Sequence, residues 1–193
     1  GAYSGFNNTS GTRNTFVGEG CGFTNSTGIR NTAIGASALK LNVQGDQNVA
    51  VGTFALEDFV ADTDGHGQNT AVGYLSMAEA TTGTANTALG SHTISSGLLT
   101  GDHNTAIGYQ SGLALTTGFK NTLIGSAAGD AINTGEYNVA VGYGALSTED
   151  QFGYNVAVGA FSLLVQDAAD NAFNTAVGYN TGGSITTGIR NTI

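Results

Sequence analysis

The chain has no proline, no tryptophan, one cysteine and only five basic residues against 14 acidic ones. Without proline, and with glycine that does not recur at every third position, a collagen-like triple helix is excluded. A lone Cys21 has no intrachain partner, so no disulfide framework holds the fold. No unbroken apolar run approaches the roughly 20 residues that a membrane-spanning helix needs. The scarcity of Lys and Arg, with a net charge of −9, argues against nucleic acid and anionic membrane surfaces as partners, because both demand cationic contacts. Charged residues of either sign make up only 10% of the chain.

What the chain has in abundance is glycine, 31 of 193 residues and about double the usual share, and a strict internal repeat. The motif Asn-[Thr/Val]-x-[Ile/Val/Leu]-Gly begins at Asn14, Asn31, Asn48, Asn69, Asn86, Asn104, Asn121, Asn138, Asn155 and Asn174, and Asn191 opens an eleventh copy. The step from Asn14 to Asn31 recurs along the chain, and only those from Asn48 to Asn69, Asn86 to Asn104 and Asn155 to Asn174 are longer. The repeat therefore has a 17-residue period, lengthened by three small insertions. Eleven of the 18 asparagines hold this one position. Three residues beyond the motif glycine the side chain is always small, and Cys21 takes its turn there among Ser4, Ala38, Ala55, Ser76, Thr93, Ser111, Ala128, Ala145, Ser162 and Thr181. Gly1 lies in phase with the motif glycine Gly18, so residues 1–193 are expected to be one repetitive segment of a longer chain.

Such a unit is too short for a helical-hairpin repeat. Stretches such as Thr70-Ala71-Val72 alternate with period two and are rich in β-branched residues, which favours a short strand ended by the glycine. The expected fold is all-β, a parallel β-solenoid or β-roll of 17-residue coils, each with two short strands and two turns. Stacked coils hydrogen-bond to one another at about 4.8 Å, and proline would delete a ladder bond at each occurrence. Val17, Ile34, Val51, Val72, Leu89, Ile107, Ile124, Val141, Val158 and Val177 are expected to form an aliphatic core column. Ala33, Ala50, Ala71, Ala88, Ala106, Ala140, Ala157 and Ala176 then face the other way, where a close flat neighbour is needed. Three chains about a long axis would supply it, so a homotrimer is expected. The motif asparagines are expected to stack as a structural ladder of side-chain amides.

Units such as Asn69-Thr-Ala-Val-Gly-Tyr, Asn104-Thr-Ala-Ile-Gly-Tyr-Gln-Ser-Gly with Thr116-Thr-Gly, and Asn138-Val-Ala-Val-Gly-Tyr-Gly-Ala-Leu resemble repeats of bacteriophage tail-fibre proteins. They are also similar to the head repeats of trimeric autotransporter adhesins, whose motif is Asn-Ser-Val-Ala-Ile-Gly in a unit shorter than this one. The resemblance covers essentially the whole chain. It implies a homotrimeric fibre section on a virion tail or an extracellular cell surface, with a host cell-surface receptor, a glycan among the candidates, as its partner. The Thr-Thr-Gly and Gly-Tyr variants favour the phage fibre over the adhesin head.

Catalytic patterns are missing. His66, His92 and His103 have no zinc-ligand spacing to one another or to Cys21, and there is neither a G-x-S-x-G elbow nor a phosphate-binding loop. The chain is expected to be no enzyme and to need no cofactor. Asp62 and Asp64, in the acidic insertion Asp62-Thr63-Asp64-Gly65, form a weak calcium candidate. The second insertion, Gln166 to Phe173, carries Asp167 and Asp170 in the same manner. Tyr74, Tyr109, Tyr143 and Tyr179 follow the motif glycine and are candidates for surface contact, either as interface packing or as a row on which sugars stack. The residue before each motif asparagine includes Arg13, Arg30, Lys120 and Arg190, a column expected to face outward or to line a seam between chains.

The expected function is a structural fibre that mediates host attachment through reach and avidity. A glycan-binding or depolymerising spike is the alternative of another class. An ice-binding solenoid is the third; Val49, Val139 and Val156 interrupt the threonine column it would use.

Overall fold

The structure is a computed structural model describing residues 1–61 and 66–193. Ten strands of three residues each recur once per coil: β1 (Thr15–Val17), β2 (Thr32–Ile34), β3 (Val49–Val51), β4 (Thr70–Val72), β5 (Thr87–Leu89), β6 (Thr105–Ile107), β7 (Thr122–Ile124), β8 (Val139–Val141), β9 (Val156–Val158) and β10 (Thr175–Val177). They form one parallel sheet in sequence order, each strand pairing with the next. The register carries no offset: Thr15, Phe16 and Val17 face Thr32, Ala33 and Ile34, and the same correspondence runs through to β10. The fold is an all-β parallel solenoid of about nine turns, without helix among the described residues.

Among the described residues each coil contains one strand, where two were expected. The rest of the coil still bonds rung to rung: the Leu39 amide donates to the Ala55 carbonyl at 3.0 Å, and the Gly129 amide to that of Ala145 at 2.9 Å. It is not extended, because left-handed residues interrupt it. The residue eight positions after the motif asparagine has positive φ even when it is bulky, as at Leu39 (51°), Leu56 (51°), Met77 (49°) and Ile94 (46°). Such residues cost about 1–2 kcal/mol each in this region. Axial hydrogen bonds and burial, repeated in every coil, hold them there.

The strand faces opposite to the expected sense. The alanine column is the interior one: Ala33, Ala50, Ala71, Ala88, Ala106, Ala140, Ala157 and Ala176 are all fully buried. The aliphatic column lies on the outer face, with Val17, Ile34, Leu89, Ile124 and Val177 between 36% and 61% exposed, and Val51, Val72, Ile107, Val141 and Val158 half-buried. The reason is space. Leu39, Leu56, Met77, Ile94, Leu146 and Leu163 reach inward from the facing side of the coil and are fully buried, so the strand centre has room only for a methyl group.

The exceptions follow the same volume rule. Where the strand centre is large, at Phe16 and Leu123, the facing positions are glycine: a Cβ on Gly22 would lie 2.6 Å from the Phe16 ring, and one on Gly112 or Gly129 within 2.9 Å of Leu123. In most coils one of the two facing positions is large and the other small, in keeping with the close packing of protein interiors. Where both are small, at Ala106 with Gly112 and Ala176 with Gly182, Leu123 and Ile94 reach in beside Gly112 and Leu163 and Ile185 beside Gly182. Between the walls runs the small-residue column. Ser76, Ser111 and Ser162 hydroxyls donate to the carbonyls of Ala88, Leu123 and Ala176 in the next coil, and the Cys21 thiol does the same to Ala33 at 2.9 Å. Burial pushes the Cys21 thiol pKa up, so it behaves as a small packed group and not as a nucleophile.

Motif glycines turn the corner after the strand, with φ between 130° and 141°. A Cβ on Gly108 would sit 2.5 Å from the Gly125 carbonyl oxygen of the next coil. Gly108→Ala is therefore expected to cost about 3 kcal/mol or more. Conversely Ala85, at φ 56°, is expected to gain about 1 kcal/mol on replacement by glycine. Urea denaturation midpoints of the two variants check both signs.

Candidate functional site: interaction surfaces of the rod

The motif asparagines form a continuous buried file. In every step from Asn14 to Asn191 the side-chain oxygen accepts the main-chain N–H of the next motif asparagine, at distances from 2.8 to 3.2 Å. Most side-chain amides donate to the carbonyl of a glycine 14 or 15 residues onward, as Asn31 does to Gly45 at 2.8 Å and Asn86 to Gly101 at 2.9 Å. The longer coils keep the file: Asn69 bonds to Asn48 and Asn174 to Asn155 across steps of 21 and 19 residues. This file is structural. Asn31, Asn48, Asn86, Asn138, Asn155 and Asn174 are wholly buried and Asn69, Asn104 and Asn121 nearly so, which leaves none of them free for a ligand.

The outer sheet face bears two columns, one of seven threonines and three valines and one of ten aliphatic residues. None of these side chains is ionisable, in a chain of net charge −9. Next to it, just past the motif glycine, stand Tyr74, Tyr109, Tyr143 and Tyr179, exposed by 49%, 54%, 56% and 77%. They engage the following column edge to face: Phe54 with Tyr74, Tyr74 with His92, His92 with Tyr109, and Phe161 with both Tyr143 and Tyr179. Such pairs hold the rings upright and leave parts of their faces open.

The column before the motif asparagines faces outward. Here Tyr137, Tyr154 and Phe173 stack nearly parallel with centroids 5.1 and 5.0 Å apart. The Lys120 ammonium lies 5.0 Å above the Tyr137 ring and 2.9 Å from its hydroxyl, and the Tyr154 hydroxyl donates to Glu136. These rings cover one another's faces and offer edges to a ligand. Among the described residues the ion pair found is Lys40 with Glu57, in another column.

For metal binding, Asp62 and Asp64 lie outside the described residues. Among those described, Glu149, Asp150 and Asp167 bring carboxylate oxygens within 4.8 Å of one another. Glu149 is fully buried in a column that elsewhere holds Asn42, Phe59, Leu115, Ile132 and Gln166. The sequence does not mark this position, because the column opens as Asn8, Asn25 and Asn42 and then changes residue type from coil to coil. The Glu149 carboxylate accepts the amides of Phe152 (3.2 Å) and Ala168 (3.4 Å). Desolvation, opposed by these bonds and reinforced by Asp167 and Asp150, raises its pKa above the usual carboxylate value.

No protein-family model, curated protein or solved structure matches the chain.

The raised pKa of Glu149 has a definite sign for stability. Its folded form prefers the proton, so its stabilising contribution is complete below the unfolded carboxylate pKa and is lost as pH rises through the folded one. The melting temperature of the native chain relative to Glu149→Gln is expected to rise as pH is lowered from neutral into the carboxylate range. Thermal melts at pH 7 and pH 4 check this; a pH-independent difference would contradict the assignment.

Proposed function

We propose that this chain is a non-enzymatic fibre section, assembled as a homotrimer, that extends from a virion tail or a cell surface and carries attachment to a host. Its repeat units resemble those of phage tail fibres more than those of trimeric adhesin heads. The observation that carries the proposal is the uncharged outer sheet face. Nine steps of about 4.8 Å give a strip on the order of 45 Å long and 10 Å wide. Its ten aliphatic side chains are at best half-buried in the lone chain. Patches of this size mark interaction surfaces. Two chains joined along it would bury about 1,000 Å², the size at which specific interfaces begin.

The tyrosine corner favours three chains over two. A single flat face is satisfied by one partner across a two-fold axis. Here two weakly charged surfaces, sheet face and tyrosine row, meet at the glycine corner, so each chain has a wedge that can contact two neighbours. A heterologous contact of this type closes as a ring of three. Repetition along the axis suits a spacer, and three identical copies multiply weak contacts at the target through effective concentration.

Sedimentation equilibrium tests the assembly. The chain is expected to sediment at three times 19.3 kDa. The double variant Ile107→Lys with Val141→Lys, which places two charges on the face, is expected to sediment as a monomer with an unchanged far-UV spectrum. A native chain that remains monomeric at all concentrations would defeat the proposal.

A further inference from the structure

Beyond assembly, we infer that the notch between Tyr3 and Phe54 is a binding site for a neutral saccharide. Tyr3, Gly20, Ser37 and Phe54 are each one repeat apart and occupy one column on four successive rungs. Two small residues between two aromatic ones open a gap in that column. The other pair of small neighbours in the column, Ala127 and Gly144, leaves no such gap, because Phe161 leans over Gly144, 3.3 Å from where its Cβ would be. A Cβ on Gly20 would meet only the Ser37 hydroxyl, at 3.9 Å. The resulting cavity has a volume of about 450 Å³, within the range of small-molecule sites.

Its walls are held in place. Phe23 stacks on Phe6 with centroids 5.5 Å apart and meets the Tyr3 ring at 6.3 Å, and Phe54 is braced by Tyr74 at 6.3 Å. Unlike the Tyr137–Tyr154–Phe173 stack, these rings line a cavity. Ala36, Glu19 and Lys40 complete the lining. Glu19 offers only acceptors and Lys40 only donors, one of them already directed at Glu57, 3.1 Å away. A cation is attracted by Glu19 and opposed by Lys40, and an anion the reverse. A ligand that is neutral, carries hydroxyls able both to donate and to accept, and has apolar C–H faces for the rings matches every component. That is a pyranose, and the volume admits a disaccharide. Burial of rigid, braced rings also limits the entropy lost on binding.

Titration of the ¹⁵N-labelled chain, followed through the Gly20 and Ser37 amides, tests the site. The probes are methyl β-glucoside, methyl β-galactoside, N-acetylglucosamine and lactose, with choline and inorganic phosphate as charged arms. At least one neutral sugar is expected to give saturable shifts with a millimolar Kd. Ser37→Phe completes the aromatic column, whose backbone conformation Phe54 already tolerates, and is expected to abolish the shifts while the remaining spectrum is retained. Phe54→Ala and Glu19→Gln are each expected to weaken binding about tenfold. The inference is overturned if no neutral sugar saturates, if shifts persist in Ser37→Phe, or if choline or phosphate saturates where sugars do not. Because the notch lies within one chain, sugar binding and trimer formation can each fail without the other.

Discussion

The structure depends on one exchange of hydrogen bonds: the side-chain oxygen of each motif asparagine takes the main-chain N–H of the next, 17 to 21 residues onward. A corner residue of a solenoid has amides that point along the axis but lack a regular strand partner there. The asparagine supplies both halves of the solution, an acceptor toward one coil and, in most rungs, a donor to a carbonyl of the returning arm. Buried polar groups left without partners are costly, so the file sets the step at which coils stack. The place where it is least satisfied is informative. Asn155 Nδ2 and Gln166 Nε2 are buried without a partner beside the longer coil that leads to Asn174, where position 169 is alanine and position 171 asparagine, so the glycine that stands three residues before most motif asparagines is missing.

Around this file the core obeys a simple volume constraint. In most coils one large side chain enters from the strand or from the left-handed residue opposite, and the other wall yields with alanine or glycine. Narrowness has two consequences. Aliphatic side chains that the interior cannot hold are left on the outer face, the surface through which association is proposed. Irregularities of the outer columns, such as Gly20 and Ser37 between two aromatic residues, become clefts because the backbone beneath them cannot adjust. The same rigid ladder that makes the rod uniform turns single substitutions on its surface into defined sites.

The repeat period, the stacking of coils, the position of the asparagine file and the role of the motif glycine were legible in the sequence, because each rests on one residue type recurring at one spacing. The bonding within the file was not, since a ladder of side-chain amides was expected and the side-chain oxygens take main-chain N–H groups in every step. The sense of the strand was not. A three-residue strand places its two outer positions on one face and its centre on the other, and hydrophobicity alone put valine inside and alanine outside. The correct signal lay in a pairing across the coil: the large strand-centre residues Phe16 and Leu123 are each followed six residues later by glycine, Gly22 and Gly129, whereas every leucine, isoleucine or methionine at that later position follows an alanine strand centre. Positive φ at Leu39 or Met77 was equally hidden, since no bulky residue advertises a left-handed conformation. Buried Glu149 was hidden because its column tolerates aromatic, aliphatic and amide side chains alike.

The most direct measurement is amide hydrogen exchange, residue by residue, on the main-chain N–H groups of the motif asparagines. If the file is the constraint that orders the rod, those of Asn69, Asn104 and Asn174, which follow the longer coils, are as strongly protected as those of Asn48, Asn121 and Asn138. Free exchange at Asn69, Asn104 and Asn174 while the others stay protected would show that the insertions break the file, and that the rod is held by something else.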